Sequence, residues 1–480
     1  MLINDHFEGS ENSRMKAQVV VIDIGKTMSK LTVWARSGKL SARRTRANPA
    51  GGSPCSLDLD GIDQWLFETL AEVAAKWPVD AIIPVGHGAA AVVVRNGAAV
   101  APPVDYECPI SAEDRRAYGA MRDPFALTGS PALPDGLNLG AQLHCLSHDL
   151  LEGASILLWP QYWAWRLSGV MASEVTSLGT HTDLWRPIEG RPSALAVARG
   201  WADRLPPVRR AGDVLGPITA QVAAQTGLDP ATKVHVGLHD SNAALLAARA
   251  FPEIGESEAT VLSTGTWFVA MRAPAPGTII DIAALPEARD CLVNVDAFGQ
   301  PIPSARFMGG REIETLIGID TRRIDILPDQ PAIVAALPRV IASGAMVLPN
   351  FAGGFGPFPN SRGRWVAMPA DPIELRAAVS LYAALVADVS LDLIGAHGAI
   401  LVEGRFAEAE LFVRALATLR PDTIIYAANA HNDVSFGALR LLEPDLAPDS
   451  ELRRIEPLEI DLSAYRTTWR NLAERMDRAA

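Results

Sequence analysis

The ten residues Gly237 to Leu246, GLHDSNAALL, decide how this chain is read. They follow a short apolar strand pattern, Lys233 to Val236, turn at Gly237, and set Asp240 and Ser241 at the mouth of a helix rich in alanine and leucine. Strand, glycine turn and helix in that order make the unit of an α/β fold, whose chemistry gathers beyond the carboxyl ends of the strands. Two readings of Asp240 are open here. As an N-cap, its carboxylate satisfies backbone N–H groups that the first helical turn leaves unpaired. As a general base at a strand end, it takes a proton from a substrate.

The start of the chain uses related grammar. Gln18 to Ile24 (QVVVIDI) is a β-branched apolar run that predicts a buried strand. The turn Gly25-Lys26-Thr27 follows, then Lys30 to Ala35 and Leu40 to Arg46 as further strands. Such a turn offers backbone N–H groups, the Thr27 hydroxyl and the ammonium groups of Lys26 and Lys30 to a phosphate, while Asp23 can hold a metal through water. It is no Walker loop, because GxxxxGK[ST] is missing and a strand follows where a helix is required. The pattern recurs at Thr260 to Ser263, Thr264-Gly265-Thr266 and Trp267 to Met271. A hairpin duplicated in each half predicts two phosphate-holding turns facing one another across a cleft.

At 480 residues the chain exceeds one hydrophobic core. The Pro-, Gly- and acid-rich stretch Ala250 to Glu258 (AFPEIGESE) separates a domain over 15–250 from one over 251–480, and the polar residues 1–14 read as a disordered tail. With 49% hydrophobic residues, 20% charged and a net charge of −12, the composition is globular; scattered Lys and Arg exclude a nucleic-acid footprint. No apolar run reaches the roughly 18 residues of a membrane span. Cys55, Cys108, Cys145 and Cys291 are widely spaced without a CxxC pair, which points to a reducing cytoplasm.

Between these landmarks, Asp60 to Trp77 has helical spacing and Val79 to Val85 that of a strand ending at Gly86-His87-Gly88. Asp105 and Tyr106 lie in a loop, from which they can hydrogen-bond a polyol. His144 and His148 fall on one helix face without a third ligand, so no metal is assigned there. Ser155 to Gly169 reads as a buried aromatic helix, and Glu174 to Trp185, rich in hydroxyls, as a cleft wall or loop. The second half continues through Pro303 to Gly318, the glycine- and phenylalanine-rich Asn350 to Asn360, and a long helix over Asp371 to Gly395. A strand, Ala399 to Val402, then leads into Glu403-Gly404-Arg405-Phe406, and Ser463 to Ala480 makes an amphipathic terminal helix. The alanine-rich helices suit a homodimer interface as well as a core.

Taken in order, DIGKTMSK, LLWPQYWAWRLSG, GLHDSNAALLA, LSTGTW, AGGFGPF, and VEGRF with SFGALRL resemble the FGGY carbohydrate kinases over residues 17 to 446. The resemblance implies two RNase H-like domains of the actin, Hsp70 and sugar kinase superfamily with a catalytic cleft between them. It implies ATP and Mg2+ as cofactors, a sugar as substrate, and no nucleic-acid or membrane partner. By it, Asp240 is the proton acceptor and Asp23 holds Mg2+ through water. Thr27, Thr264, Gly265 and Thr266 grip phosphates, with Lys26 or Lys30 neutralising charge, and Gly404, Arg405 and Phe406 flank the nucleotide. His87, Asp105, Tyr106 and His239 contact the sugar. The His239-Asp240 pair is similar to that of rhamnulokinase-like members, which favours a ketose such as L-rhamnulose or L-fuculose. Three departures stand out: Lys26 in the first loop, Arg405 where a glycine triplet is usual, and no asparagine around Phe307 to Gly310. Arg405 is the feature that favours the alternative, a non-catalytic sugar or nucleotide sensor.

Overall fold

Unbroken burial along Gln18–Ile24 makes β1 the middle of the first sheet. In the computed structural model, which describes residues 17–49, 55–255, 257–321, 325–428 and 434–479, β1 pairs antiparallel with β2 (Met28–Ala35). β2 pairs antiparallel with β3 (Leu40–Ala47), and β1 runs parallel to β4 (Val79–Gly86). The strands Val214–Pro217, Lys233–His235 and Leu238–His239 complete the sheet on the β4 side. The crossover from β3 to β4 is the helix Leu59–Ala74, shorter than Asp60 to Trp77 at its end. Asp58 caps it by accepting from the Gly61 N–H at 3.1 Å, and Ile62, Leu66, Leu70 and Val73 form its buried stripe. The tail expected over residues 1–14 lies outside the described residues.

The second sheet repeats the plan. Ala259–Thr264 forms a hairpin with Phe268–Ala273 and runs parallel to Ala399–Gly404; Ile424–Ala427 follows on one side, Pro301–Phe307 and Cys291–Val295 on the other. Ile24 therefore stands opposite Gly86 in one sheet and Thr264 opposite Gly404 in the other. The duplicated hairpin expected from sequence is present in the same register position of each sheet.

The helix Pro372–Leu393 covers the second sheet, and Ala377, Ala378, Ala383, Ala384 and Ala387 on it are buried within the chain. These alanines serve the core, not a free dimer face. The terminal helix Ser463–Ala479 docks on the same domain: Trp469 is fully buried and donates from Nε1 to the Val347 carbonyl at 2.6 Å. Beside it, the fully buried carboxylate of Asp388 binds Arg420, Arg466 and Arg470, so its charge is met on every side.

Three expectations change. Ser155 to Gly169 is not one helix: Ser155–Leu158 is a strand and the helix is Trp159–Ser168, with Pro160 in its first turn where a missing N–H costs nothing. His144 and His148 belong to separate helices, Leu139–Cys145 and His148–Leu151, so they share no face. Cys55 and Cys108 are joined in a disulfide with their Cα atoms 5.1 Å apart. Distance in sequence misleads there because the loop around Val104 returns to Cys55, the Leu57 N–H donating to the Pro103 carbonyl and the Asp105 N–H to the Cys55 carbonyl.

Candidate active site

Asp240 is the first residue of the helix Asp240–Ala248, which starts directly from the strand Leu238–His239. His239, not Asp240, takes the N-cap position. The Asp240 carboxylate instead accepts through Oδ1 from the Ser241 N–H at 2.6 Å, and His239 Nε2 lies 3.1 Å from the same oxygen. It keeps part of its surface open to a cavity of about 360 Å3 that His87, Tyr106, Thr180, His181, His239, Trp267 and Arg306 help to line. That volume is in the range of small-molecule sites.

The imidazoles have defined tautomers. Asn242 Nδ2 donates to His239 Nδ1 at 3.2 Å, which leaves the proton on Nε2, the ring nitrogen nearer Asp240. His87 Nδ1 donates to the Gly88 carbonyl at 2.9 Å, so its Nε2, buried and without a hydrogen-bond partner, is an acceptor. Burial lowers both rings below the ordinary histidine range, with the Asp240 charge opposing it at each. Burial, and then the charge of Arg306, pushes His181 down to about 3.

Behind His239 lies a buried support. Glu174, fully buried, caps the helix Val175–Leu178 by accepting from the Thr176 and Ser177 N–H groups at 2.9 and 3.1 Å. Burial raises its carboxyl to about 7 against these hydrogen bonds. The Thr176 hydroxyl donates to Glu174 at 2.6 Å and accepts from the His239 N–H at 2.9 Å, fixing the strand end that presents Asp240.

The first turn divides its two lysines. Asp23, buried on β1, faces Lys30 across the hairpin and pairs with it at 3.4 Å. Lys26 bends the other way, binding Asp105 and, at 3.1 Å, Glu107, with its ammonium 4.3 Å from the Tyr106 ring centre. Thr27 is exposed between the strands. Asp105 is thus engaged by Lys26, while Tyr106 and Glu107 reach the cavity wall.

In the second domain the Thr264 hydroxyl donates to the Glu403 carbonyl and accepts from the Phe406 N–H at 3.1 Å, tying the two turns together. Gly404 has φ +84°, and a Cβ there would lie 2.2 Å from the Thr264 carbonyl oxygen. Gly310 stands as close to Gly265, where a Cβ would meet the carbonyl oxygen at 2.0 Å. Arg405 is drawn to Thr321 Oγ1 at 2.7 Å and Glu314 at 3.7 Å. Phe406 is buried beside Phe268 and borders a small apolar cavity with Ile313, Ile317 and Ala409.

Sequence reasoning assigned no role to Thr180, His181, Trp267, Asn294 or Arg306, all at the cavity. The hydroxyl-rich run containing Thr180 and His181 was a signal for a cleft wall. Arg306, the one charge in the strand Pro301–Phe307, carried a weaker one.

Two sheets of like topology and a polar cavity lined from both domains define a two-domain α/β protein of the actin, Hsp70 and sugar kinase superfamily. Residues 256–450 match the family described as Carbohydrate kinase FGGY, C-terminal domain. Over 96% of this chain and 99% of the other, the sequence is 55% identical to a carbohydrate kinase from Novosphingobium aromaticivorans, with a TM-score of 0.91. The chain belongs to the FGGY carbohydrate kinase family, a family of phosphotransferases. Xylulose kinase from Rhodospirillum rubrum is 18% identical over 96% of this chain and 98% of its own, with a TM-score of 0.76. Glycerol kinase from Plasmodium falciparum is 13% identical over 97% and 99%, with a TM-score of 0.75, so these two share the fold alone. No curated protein matches the chain. No helix among the described residues is long and apolar enough to cross a membrane.

Proposed function

We propose that the chain phosphorylates a sugar hydroxyl from Mg-ATP in the cytoplasm, with Asp240 as general base. The observation that carries this is the Asp240 carboxylate, held at Oδ1 by Ser241 beside His239 and open to a cavity walled by hydroxyl-binding groups. Phosphoryl transfer asks mainly for positioning and charge neutralisation, so a carboxylate at a helix N-terminus suffices to align the hydroxyl and take its proton late. His87 Nε2 accepts from a second hydroxyl and Tyr106 offers its face and phenol, while the His239 pair favours a ketose, with L-rhamnulose and L-fuculose its neutral representatives.

The residues fit Mg-ATP. Gly404 and Gly310 have no room for a side chain against the Thr264–Thr266 turn, so this turn, whose backbone N–H and hydroxyl groups suit a polyphosphate, is held backbone against backbone. Bound Mg-ATP supplies the phosphoryl group. Asp23 would hold Mg2+ through water; Thr27, Gly265 and Thr266 would line the phosphates, and Thr264 would fix their turn. Lys30 or Lys26 would be the phosphate-side cation; Lys30 is paired with Asp23, and Lys26 with Asp105 and Glu107. With Arg405 held by Thr321 and Glu314, its guanidinium is drawn aside by chain partners, which supports the kinase over a non-catalytic sensor.

The test is coupled ADP release with Mg-ATP over ketoses, aldoses, polyols and sugar acids, for the wild type and Asp240→Asn. The expected outcome is turnover that depends on the acceptor and falls at least about a hundredfold in the variant. Turnover surviving Asp240→Asn would remove Asp240 from the chemistry.

A further inference from the structure

Arg306, on the strand Pro301–Phe307 of the second domain, lines the same cavity as Asp240. Its side chain is 11% exposed. Asp290 grips one edge of it: Nε donates to Asp290 Oδ1 at 2.8 Å, while Asp290 Oδ2 accepts from the Gly356 N–H at 3.1 Å. The guanidinium carbon lies 5.1 Å from the ring centre of Trp267, itself a cavity wall. This fixes the plane of the fork. Yet Nη2 is buried and donates to nothing. An arginine that lines a cavity and is held in place by a carboxylate and an aromatic face is suited to recognising a carboxylate on a ligand.

The other groups at the cavity do not compete for that role. His87 presents an acceptor nitrogen, and His181, whose Nδ1 donates to the Leu137 carbonyl, presents another. Lys26 is matched by Asp105 and Glu107, and Asp135 faces Arg115 at 3.5 Å. Among the described residues lining the cavity, Arg306 is the one cationic side chain.

We propose that Arg306 recognises a carboxylate on the sugar, so that the substrate is a sugar acid: a polyhydroxylated chain, with a ketose carbonyl or without, ending in a carboxylate. The proposal rests on the kinase reading and narrows it, since L-rhamnulose and L-fuculose are neutral. It also sets polarity. The carboxylate is drawn to Arg306 and repelled by Asp240, so the hydroxyl that meets Asp240 is one remote from the acid end.

The experiment compares kcat/KM for matched pairs, each a neutral ketose or polyol and the ketoaldonate or aldonate of the same carbon skeleton, with ATP KM measured on both members. Acids are expected to exceed their neutral partners by at least about tenfold, and the product to carry phosphate away from the carboxylate. In Arg306→Gln that ratio is expected to collapse at least tenfold, with partial recovery in Arg306→Lys. The wild-type ratio needs no variant to fold. Neutral sugars used as well as their acids, or an acid-to-neutral ratio unchanged in Arg306→Gln, would overturn the proposal. So would a rise in ATP KM that is equal for both members of a pair, which would assign the guanidinium to the nucleotide phosphates. Neutral-sugar turnover abolished by Asp240→Asn would leave the kinase reading standing without the acid, whereas silence on every acceptor would overturn both.

Discussion

Gly437 and Ala243 touch without side chains between them: a Cβ built on Gly437 would lie 1.7 Å from the Ala243 carbonyl oxygen. Gly437 belongs to the helix Val434–Leu439 and Ala243 to the helix that begins at Asp240, so the two helices rest directly on one another, backbone against backbone. The small residues of GLHDSNAALL and SFGALRL thereby acquire a reason.

Gly437→Ala tests whether this contact sets the position of Asp240. The obstacle is backbone, so the two helices must separate, a strain of about 1–3 kcal/mol. A displacement of the order of 1 Å at a reacting group costs about a hundredfold in rate. The expected outcome is a lower melting temperature together with a kcat loss larger than any change in ATP KM. A variant with wild-type melting and turnover would show that the helices part without moving the carboxylate.

The sequence carried the parts of this site that are local. β-branched runs announced both central strands, and the polar turns after them were legible because a hairpin needs only a few consecutive residues. Asp240 was found for the same reason. Arg306, His181 and Asn294 were not, since each becomes a cavity residue only when distant strands and loops converge. That Lys26 pairs with Asp105 and Glu107 was not legible either, because the loop carrying those carboxylates folds onto it from far along the chain. The break between strand and helix at Trp159 was written in Pro160, but a run so rich in leucine and aromatics fits either element until its neighbours are placed. The long helix Pro372–Leu393, expected over Asp371 to Gly395, needed no such help, because alanine and leucine at helical spacing over many turns leave no alternative.

Acid should weaken the fold through the histidines of the cavity. His181 falls to about 3 in the folded chain against 6.5 in the unfolded one. Its contribution is therefore complete above pH 6.5 and is lost as pH falls from 6.5 towards 3, because the unfolded state binds the proton first. At pH 5 this amounts to about 2 kcal/mol, at about 1.4 kcal/mol per unit. His87 and His239 shift in the same direction. Urea unfolding at pH 7.5 and pH 5 should show the drop, and His181→Gln, whose amide can still donate to the Leu137 carbonyl, should reduce it. An identical drop in the variant would mean that His181 takes up its proton without cost to the fold.

The disulfide Cys55–Cys108 closes a loop over a sequence separation of 53 residues and ends two residues beyond Tyr106. Chain-entropy reasoning gives a crosslink of that span up to about 4 kcal/mol against the unfolded state. Its second effect is local. Tyr106 and Glu107 reach the cavity from the segment it tethers, whereas the turns at Thr264 and Gly404 are far from it in the other sheet. Reduction with dithiothreitol, or Cys108→Ser, is expected to lower the melting temperature and raise the sugar KM severalfold while leaving the ATP KM in place. A cytoplasmic setting would expose this bond to a reducing thiol pool, so the fraction oxidised would set sugar affinity. Thiol titration of the native protein decides the starting point, because Cys145 and Cys291 account for two free thiols. Four titratable thiols in freshly purified enzyme, with a sugar KM indifferent to oxidation, would leave the loop held by the hydrogen bonds of Leu57 and Asp105 alone.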